Sequence, residues 1–148
     1  MDNVKAFADS LNQKLGGIVG VSEDEKSLIV PSDEILKVLK EIKENTDFTF
    51  LEDVTAVDYP DNLTVVYHLM SLKDAKVLRV KTVLDKENPH IDSAVSLWNA
   101  ANVMERETYD LLGVIFDGHP DLKRILCPDD FEGHPLRKDF IVEAAPRQ

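Results

Sequence analysis

Apolar residues recur three and four apart at Val4, Phe7, Ala8, Leu11 and Leu15, and the pattern stops at Gly16-Gly17. That spacing predicts an amphipathic helix closed by glycine. Two short apolar runs follow, Ile18 to Val21 and Ser27 to Val30, joined by the charged "SEDEK". They predict a β-hairpin with a polar loop. Ser32 stands before Asp33 and Glu34 as a candidate helix cap, and Ile35, Val38, Leu39 and Ile42 then form one apolar face ending near Asn45. Phe48 to Leu51 suits a strand, and "LEDVTAVDYPDN" suits an extended crossing that ends in a turn.

The strongest alternation lies in "LTVVYHLMSL" and "KVLRVKTVL", separated by the turn "KDA". Leu78, Val80, Thr82 and Leu84 share one parity, while Val77, Arg79, Lys81 and Val83 share the other. One face is apolar and one is mixed, as in a sheet packed on one side. After Pro89, Asp92 or Ser93 is the expected cap of a third helix carrying Ala94, Val95, Trp98, Ala101, Asn102, Glu105, Tyr109 and Leu112, with Gly113 as its stop. Beyond it the pattern fades, and four of the seven prolines lie between Pro120 and Pro146. The order predicts an α+β fold: a two-layer sandwich of a mostly antiparallel sheet with helices, followed by an extended C-terminal tail. The expected division is a sandwich domain, residues 1–113, and a proline-rich docking tail, residues 114–148.

Composition narrows the function classes. A chain of 148 residues buries enough surface to fold without disulfides or metal. Its single cysteine fits a reducing compartment. No apolar run approaches the ~20 residues that span a bilayer, and the N-terminus lacks a signal-peptide core. The net charge of −11 argues against nucleic acid and against direct contact with anionic lipid.

The chemistry-bearing residues gather near the end. His119, Cys127 and His134, with Asp129 or Asp130, offer metal ligands, but their gaps are wider than the close pairs of zinc sites. The acids around Cys127 would raise its thiol pKa and Arg124 would offset them, so a packed structural cysteine is favoured over a nucleophile. One cysteine excludes a complete iron–sulfur cluster within the chain, and no nucleotide-binding loop is visible. Glu105, Arg106, Glu107 and Asp110 crowd the end of the third helix. They read either as a solvated, salt-bridged face, worth only tenths of a kcal/mol per pair, or as charges that lock the tail or meet a partner. Arg124, Arg137 and Lys138 are their candidate counterparts.

The stretch "ERETYDLLGVIFDGHPDLKRILCPDDFEGHPLRKDF" closely resembles the signature region of the C subunit (30-kilodalton subunit) of proton-pumping NADH:quinone oxidoreductase, respiratory complex I. The matched positions are Glu105, Arg106, Glu107, Asp110, Gly113, Phe116, His119, Pro120, Arg124, Gly133, Pro135, Leu136, Arg137 and Lys138. The resemblance implies a translocase subunit in the peripheral arm, at the cytoplasmic side of the membrane. Its tail would pack along the large D subunit (49-kilodalton subunit), which helps form the quinone pocket. In this family the C subunit holds no cofactor; NADH, FMN, iron–sulfur clusters and quinone belong to partner subunits. Related modules occur in membrane-bound [NiFe] hydrogenases and in F420- or ferredoxin-dependent relatives. On this reading Phe116, Leu122, Ile125, Leu126, Phe131, Leu136 and Phe140 bury on the partner, while Arg124, Arg137 and Lys138 set orientation. The competing reading is a stand-alone metal- or thiol-dependent enzyme built on His119, Cys127 and His134.

Overall fold

The computed structural model describes residues 3–138. Helix α1 spans Val4–Leu15 and buries Val4, Ala8, Leu11 and Leu15, the stripe its spacing predicts. Asn3 caps it by accepting from the Ala6 N–H, and Gly16 closes it in the left-handed conformation. Strands β1 (Gly20–Val21) and β2 (Ser27–Ile29) form the expected hairpin. Helix α2 spans Ile35–Asn45 and fully buries Ile35, Val38, Leu39 and Ile42. Each such side chain contributes about 1.5–3 kcal/mol of gross burial energy. Ser32 does not cap this helix. Residues Ser32–Glu34 form a 3-10 turn without a side-chain cap, begun by the Glu34 N–H bonding the Pro31 carbonyl.

Strand β3 (Phe50–Asp58) is continuous where only a short strand and a crossing were expected. With β4 (Leu63–Ser71) and β5 (Lys76–Leu84) it builds a five-stranded sheet ordered β1-β2-β5-β4-β3. Only β2 and β5 run parallel; the other neighbours are antiparallel. The register aligns Leu28, Val80, Tyr67 and Val54 across the sheet, all buried. These residues share one core with the buried faces of α1 and α2. The other parity carries Val77, Arg79, Lys81 and Val83, with Val77 and Val83 exposed. The two-layer α+β fold is as the alternation predicts.

The third helix departs from the prediction. Helix α3 spans Ala101–Leu112, and Ala100 precedes it without a side-chain cap. Asp92 instead ends strand β6 (His90–Asp92), which pairs in parallel with β7 (Ile115–Asp117). Residues 94–100 keep helical spacing because Ala94, Val95 and Trp98 pack on the same core from turns. The region after Gly113 is therefore not wholly irregular: it begins with a strand, and Val114 and Phe116 are core residues. Phe116, expected on a partner, is 2% exposed within this chain. Phe140 lies outside the described residues. No helix among the described residues is long and apolar enough to cross a membrane.

Candidate functional site

The acids of α3 are not a solvated face. Glu105 and Asp110 are fully buried, and each holds a segment that returns to the helix. Glu105 accepts from the Ser93 hydroxyl at 2.5 Å and the Ala94 N–H at 2.7 Å. Burial pushes its carboxyl above the usual range, opposed by these two bonds. Ser93, the expected helix cap, is thus taken by a residue twelve positions downstream.

Asp110 is the centre of the site. One carboxylate oxygen accepts from the N–H groups of Ile125, Leu126 and Cys127 at 3.1, 2.7 and 2.9 Å. The other meets Arg124 Nη1 at 2.7 Å. Burial pushes this carboxyl up, but the three N–H bonds and Arg124 outweigh it and hold the group well below the usual carboxylate range. Arg124 also donates through Nη2 to the Gly133 carbonyl at 2.7 Å and lies 5.6 Å from the Phe131 ring centroid. Arg106 bonds the carbonyls of Lys123 and Arg124 at 3.1 and 3.0 Å. Glu107 is exposed. Of the two roles the sequence offered these charges, Asp110 takes the lock on the tail, while Glu105 holds the segment before the helix, at Ser93 and Ala94.

The C-terminal end of α3 explains the second Gly-His-Pro and the residues just after it. A helix leaves its last four carbonyls without intrahelical partners. Here the Tyr109 carbonyl takes the Gly113 N–H at 2.8 Å. The Asp110 carbonyl takes His134 Nδ1 at 2.9 Å and the Leu111 carbonyl takes the Leu136 N–H at 2.8 Å. The Leu112 carbonyl takes Arg137 Nη1 at 3.2 Å. Residues 133–137 are thus a cap delivered from a distance, and two arginines sit at the negative pole of the helix. Gly113 has φ +81°, and a Cβ there would lie 2.9 Å from His134 Cδ2. Only glycine satisfies both the turn and the ring.

Asp58 was not singled out from the sequence. At the end of β3 it accepts from the Lys138 N–H and pairs with Lys86 Nζ, each at 2.6 Å. Burial raises its pKa, but Lys86, the Lys138 N–H and Arg137 together lower it. The available signal was parity: Asp58 shares a sheet face with core residue Val54, where an acid needs a partner.

The two candidate histidine ligands are engaged with backbone. His119 Nδ1 accepts from the Asp121 N–H at 3.0 Å, and Nε2 lies 3.0 Å from the Asn102 carbonyl. The first bond needs an unprotonated Nδ1 and the second a protonated Nε2, leaving no ring lone pair for a metal. Among the described residues no cluster of His, Cys, Asp or Glu has metal-holding geometry. The Cys127 thiol is pushed up by burial and then by Asp110, with Arg124 opposing. The acid responsible is Asp110, not the adjacent Asp129 and Asp130. Of the expected anchors, Leu126 and Leu136 are 63% and 59% exposed, and Phe131 is partly exposed. Leu122 and Ile125 are half-buried, Leu122 against the core. Pro120 is exposed, and Pro135 is half-buried beside the cap.

A family model described as the 30 Kd subunit of respiratory-chain NADH dehydrogenase matches residues 28–146. The C subunit of NADH-quinone oxidoreductase from Moorella thermoacetica is 56% identical over 122 residues, covering 81% of this chain and 82% of that protein. The mitochondrial NADH dehydrogenase (ubiquinone) iron-sulfur protein 3 of Candida albicans is 48% identical over 125 residues, but this chain spans only 44% of it. Among solved structures, a chain of the membrane-bound sulfane sulfur reductase, an archaeal respiratory membrane complex, superposes with TM-score 0.78 at 27% identity. That match covers 93% of this chain and 85% of the other. The trypsin-resistant fragment of Nqo5 superposes with TM-score 0.63 at 30% identity, covering 81% and 99%. The match begins at β2 and takes in every element of the Asp110 lock, and the chain belongs to the family of the 30 Kd subunit of respiratory-chain NADH dehydrogenase.

Proposed function

We propose that this chain works by assembly, as a cofactor-free accessory subunit in the peripheral arm of NADH:quinone oxidoreductase, at the cytoplasmic side of the membrane. It docks on the large D subunit and supports electron transfer from NADH to quinone coupled to proton translocation. NADH, FMN, iron–sulfur clusters and quinone are held by the partner subunits. The observation that carries this reading is the Asp110 lock. With the caps on the α3 carbonyls it holds residues 124–127 and 133–137 in place in advance, while leaving Leu126 and Leu136 exposed. Ordering a segment before binding removes much of the entropy lost on docking.

Point substitutions test it better than truncation, because a chain cut after Gly113 loses Val114 and Phe116 from its core. Leu126→Ala with Leu136→Ala removes exposed apolar surface and leaves the lock intact. Burying such side chains contributes about 1.5–3 kcal/mol each, so capture of the co-expressed large subunit should fall at least tenfold. Unchanged capture would sink the docking reading. A second reading is favoured by the sulfane sulfur reductase chain: the equivalent subunit of another membrane-bound complex, such as a hydrogenase or a ferredoxin-dependent relative. The higher identity to the C subunit of NADH-quinone oxidoreductase supports the first. Mass spectrometry of co-purified subunits separates them. A metal- or thiol-dependent enzyme finds no support in the bonds of His119 or in the raised thiol pKa of Cys127.

A further inference from the structure

Apart from Lys138, which is exposed, the fold sorts the charges of residues 121–138 by direction. Its arginines turn inward: Arg124 to Asp110 and the Gly133 carbonyl, Arg137 to the Leu112 carbonyl. Lys123 lies 3.3 Å from Asp121, so that pair is neutral in sum. The acids turn outward. Asp129, Asp130 and Glu132 are exposed, and none makes an ion pair or side-chain hydrogen bond among the described residues. They occupy one short loop, turned by the Phe131 N–H bonding the Pro128 carbonyl at 2.9 Å. Exposed Leu126 and Leu136 flank that loop in sequence.

Three such acids within a few residues repel one another, and all lie within the Debye length of about 8–10 Å at moderate salt. A partner that covers this loop must bring positive charge. A second copy of this chain would set acid against acid, and nucleic acid or anionic lipid would add to the repulsion. We infer that the loop at 128–132, with Leu126 and Leu136, is an interaction surface for a protein subunit whose matching face is apolar and rimmed by Lys or Arg. This rests on the docking reading above and specifies the chemistry of the partner's side. The acids guide encounter, and the leucines hold the complex.

The experiment measures association of the purified full chain with the purified large D subunit at ionic strengths from low to high. Asp129→Asn, Asp130→Asn and Glu132→Gln are combined in one variant, and Leu126→Ala with Leu136→Ala in another. The acid variant should melt like the native chain, since these side chains hold nothing among the described residues. It should associate about tenfold more slowly at low salt, lose most of the salt dependence, and dissociate at the native rate. The leucine variant should dissociate faster at every salt concentration. A native salt slope in the acid variant overturns the basic-rim inference, while a leucine effect in the same data keeps the docking reading. An unaffected leucine variant overturns that reading instead. Salt-strengthened self-association in sedimentation would identify a second copy as the occupant and overturn the inference.

Discussion

Replacing Asp110 by asparagine keeps the shape of the side chain and removes its charge. The native carboxylate accepts from the N–H groups of Ile125, Leu126 and Cys127 and from Arg124 Nη1, all at 2.7–3.1 Å. Asparagine brings one acceptor oxygen and an NH₂ that faces donors. At least one side of this cluster loses its acceptor, and the Arg124 side chain, 10% exposed, loses its countercharge. Removing one partner of a buried ion pair costs about 3–5 kcal/mol, and a buried donor left unpaired about 1–3 kcal/mol. Both are ceilings here, because residues 125 and 127 are only half-buried and opening the loop admits water. A net loss of about 2 kcal/mol results, felt mostly at the loop. For a domain of this size the full loss of about 2 kcal/mol would lower Tm by roughly 4–8 °C, and a loss confined mostly to the loop lowers it by less. Amide hydrogen exchange is the sharper assay. The Ile125, Leu126 and Cys127 amides should exchange roughly thirtyfold faster, while those of Val38 and Leu39 in α2 change only by the global loss. The pH dependence has a definite sign. The folded pKa is depressed, so the contribution is complete above the ordinary value of 3.8 and is lost only as pH falls through the lower folded value. The difference between variant and native chain should be constant from neutrality into mild acid and shrink below that. Three amides as protected in the variant as in the native chain would refute the lock.

Gly113→Ala and Gly16→Ala should differ. Both positions have positive φ, at about 1–2 kcal/mol for a side chain, but only Gly113 meets another group, His134. Urea unfolding should place Gly113→Ala lower by about another kcal/mol; equal midpoints would show that the ring contact contributes nothing. Glu105→Gln should relieve the burial of a charge, whose cost falls away as pH drops through the raised folded pKa and the native side chain protonates. The Tm difference between this variant and the native chain should therefore shrink on acidification, and a difference that widens would overturn the assignment. Cys127 should alkylate more slowly than a free thiol in mild alkali, because burial and Asp110 raise its pKa. Iodoacetamide labelling should accelerate in Asp110→Asn, and an unchanged rate would show that the carboxylate does not govern the thiol.

Local periodicity settled a good part of this protein. The stripes of α1 and α2, the hairpin of β1 and β2, and the parity of Leu78, Val80, Thr82 and Leu84 were all legible, because a face repeats every few residues and needs no distant partner. The signature from Glu105 to Lys138 was legible as a family mark, and the structure gives many of its residues physical work in one lock. Tertiary structure decided the rest. Ser93 reads as a helix cap until Glu105 takes its hydroxyl, and His90–Asp92 reads as a helix approach until β7 pairs with it. Asp58 carries no sequence mark of its partners, and Lys86 and Lys138 arrive from 28 and 80 residues away. The arginines of the tail read either as counterparts of the helix acids or as outward anchors until Asp110 and the open carbonyls of α3 draw them inward. A pattern of apolar positions specifies which face is buried. The environment of a charge depends on which donors reach it, and here those donors come from segments that only the completed fold brings together.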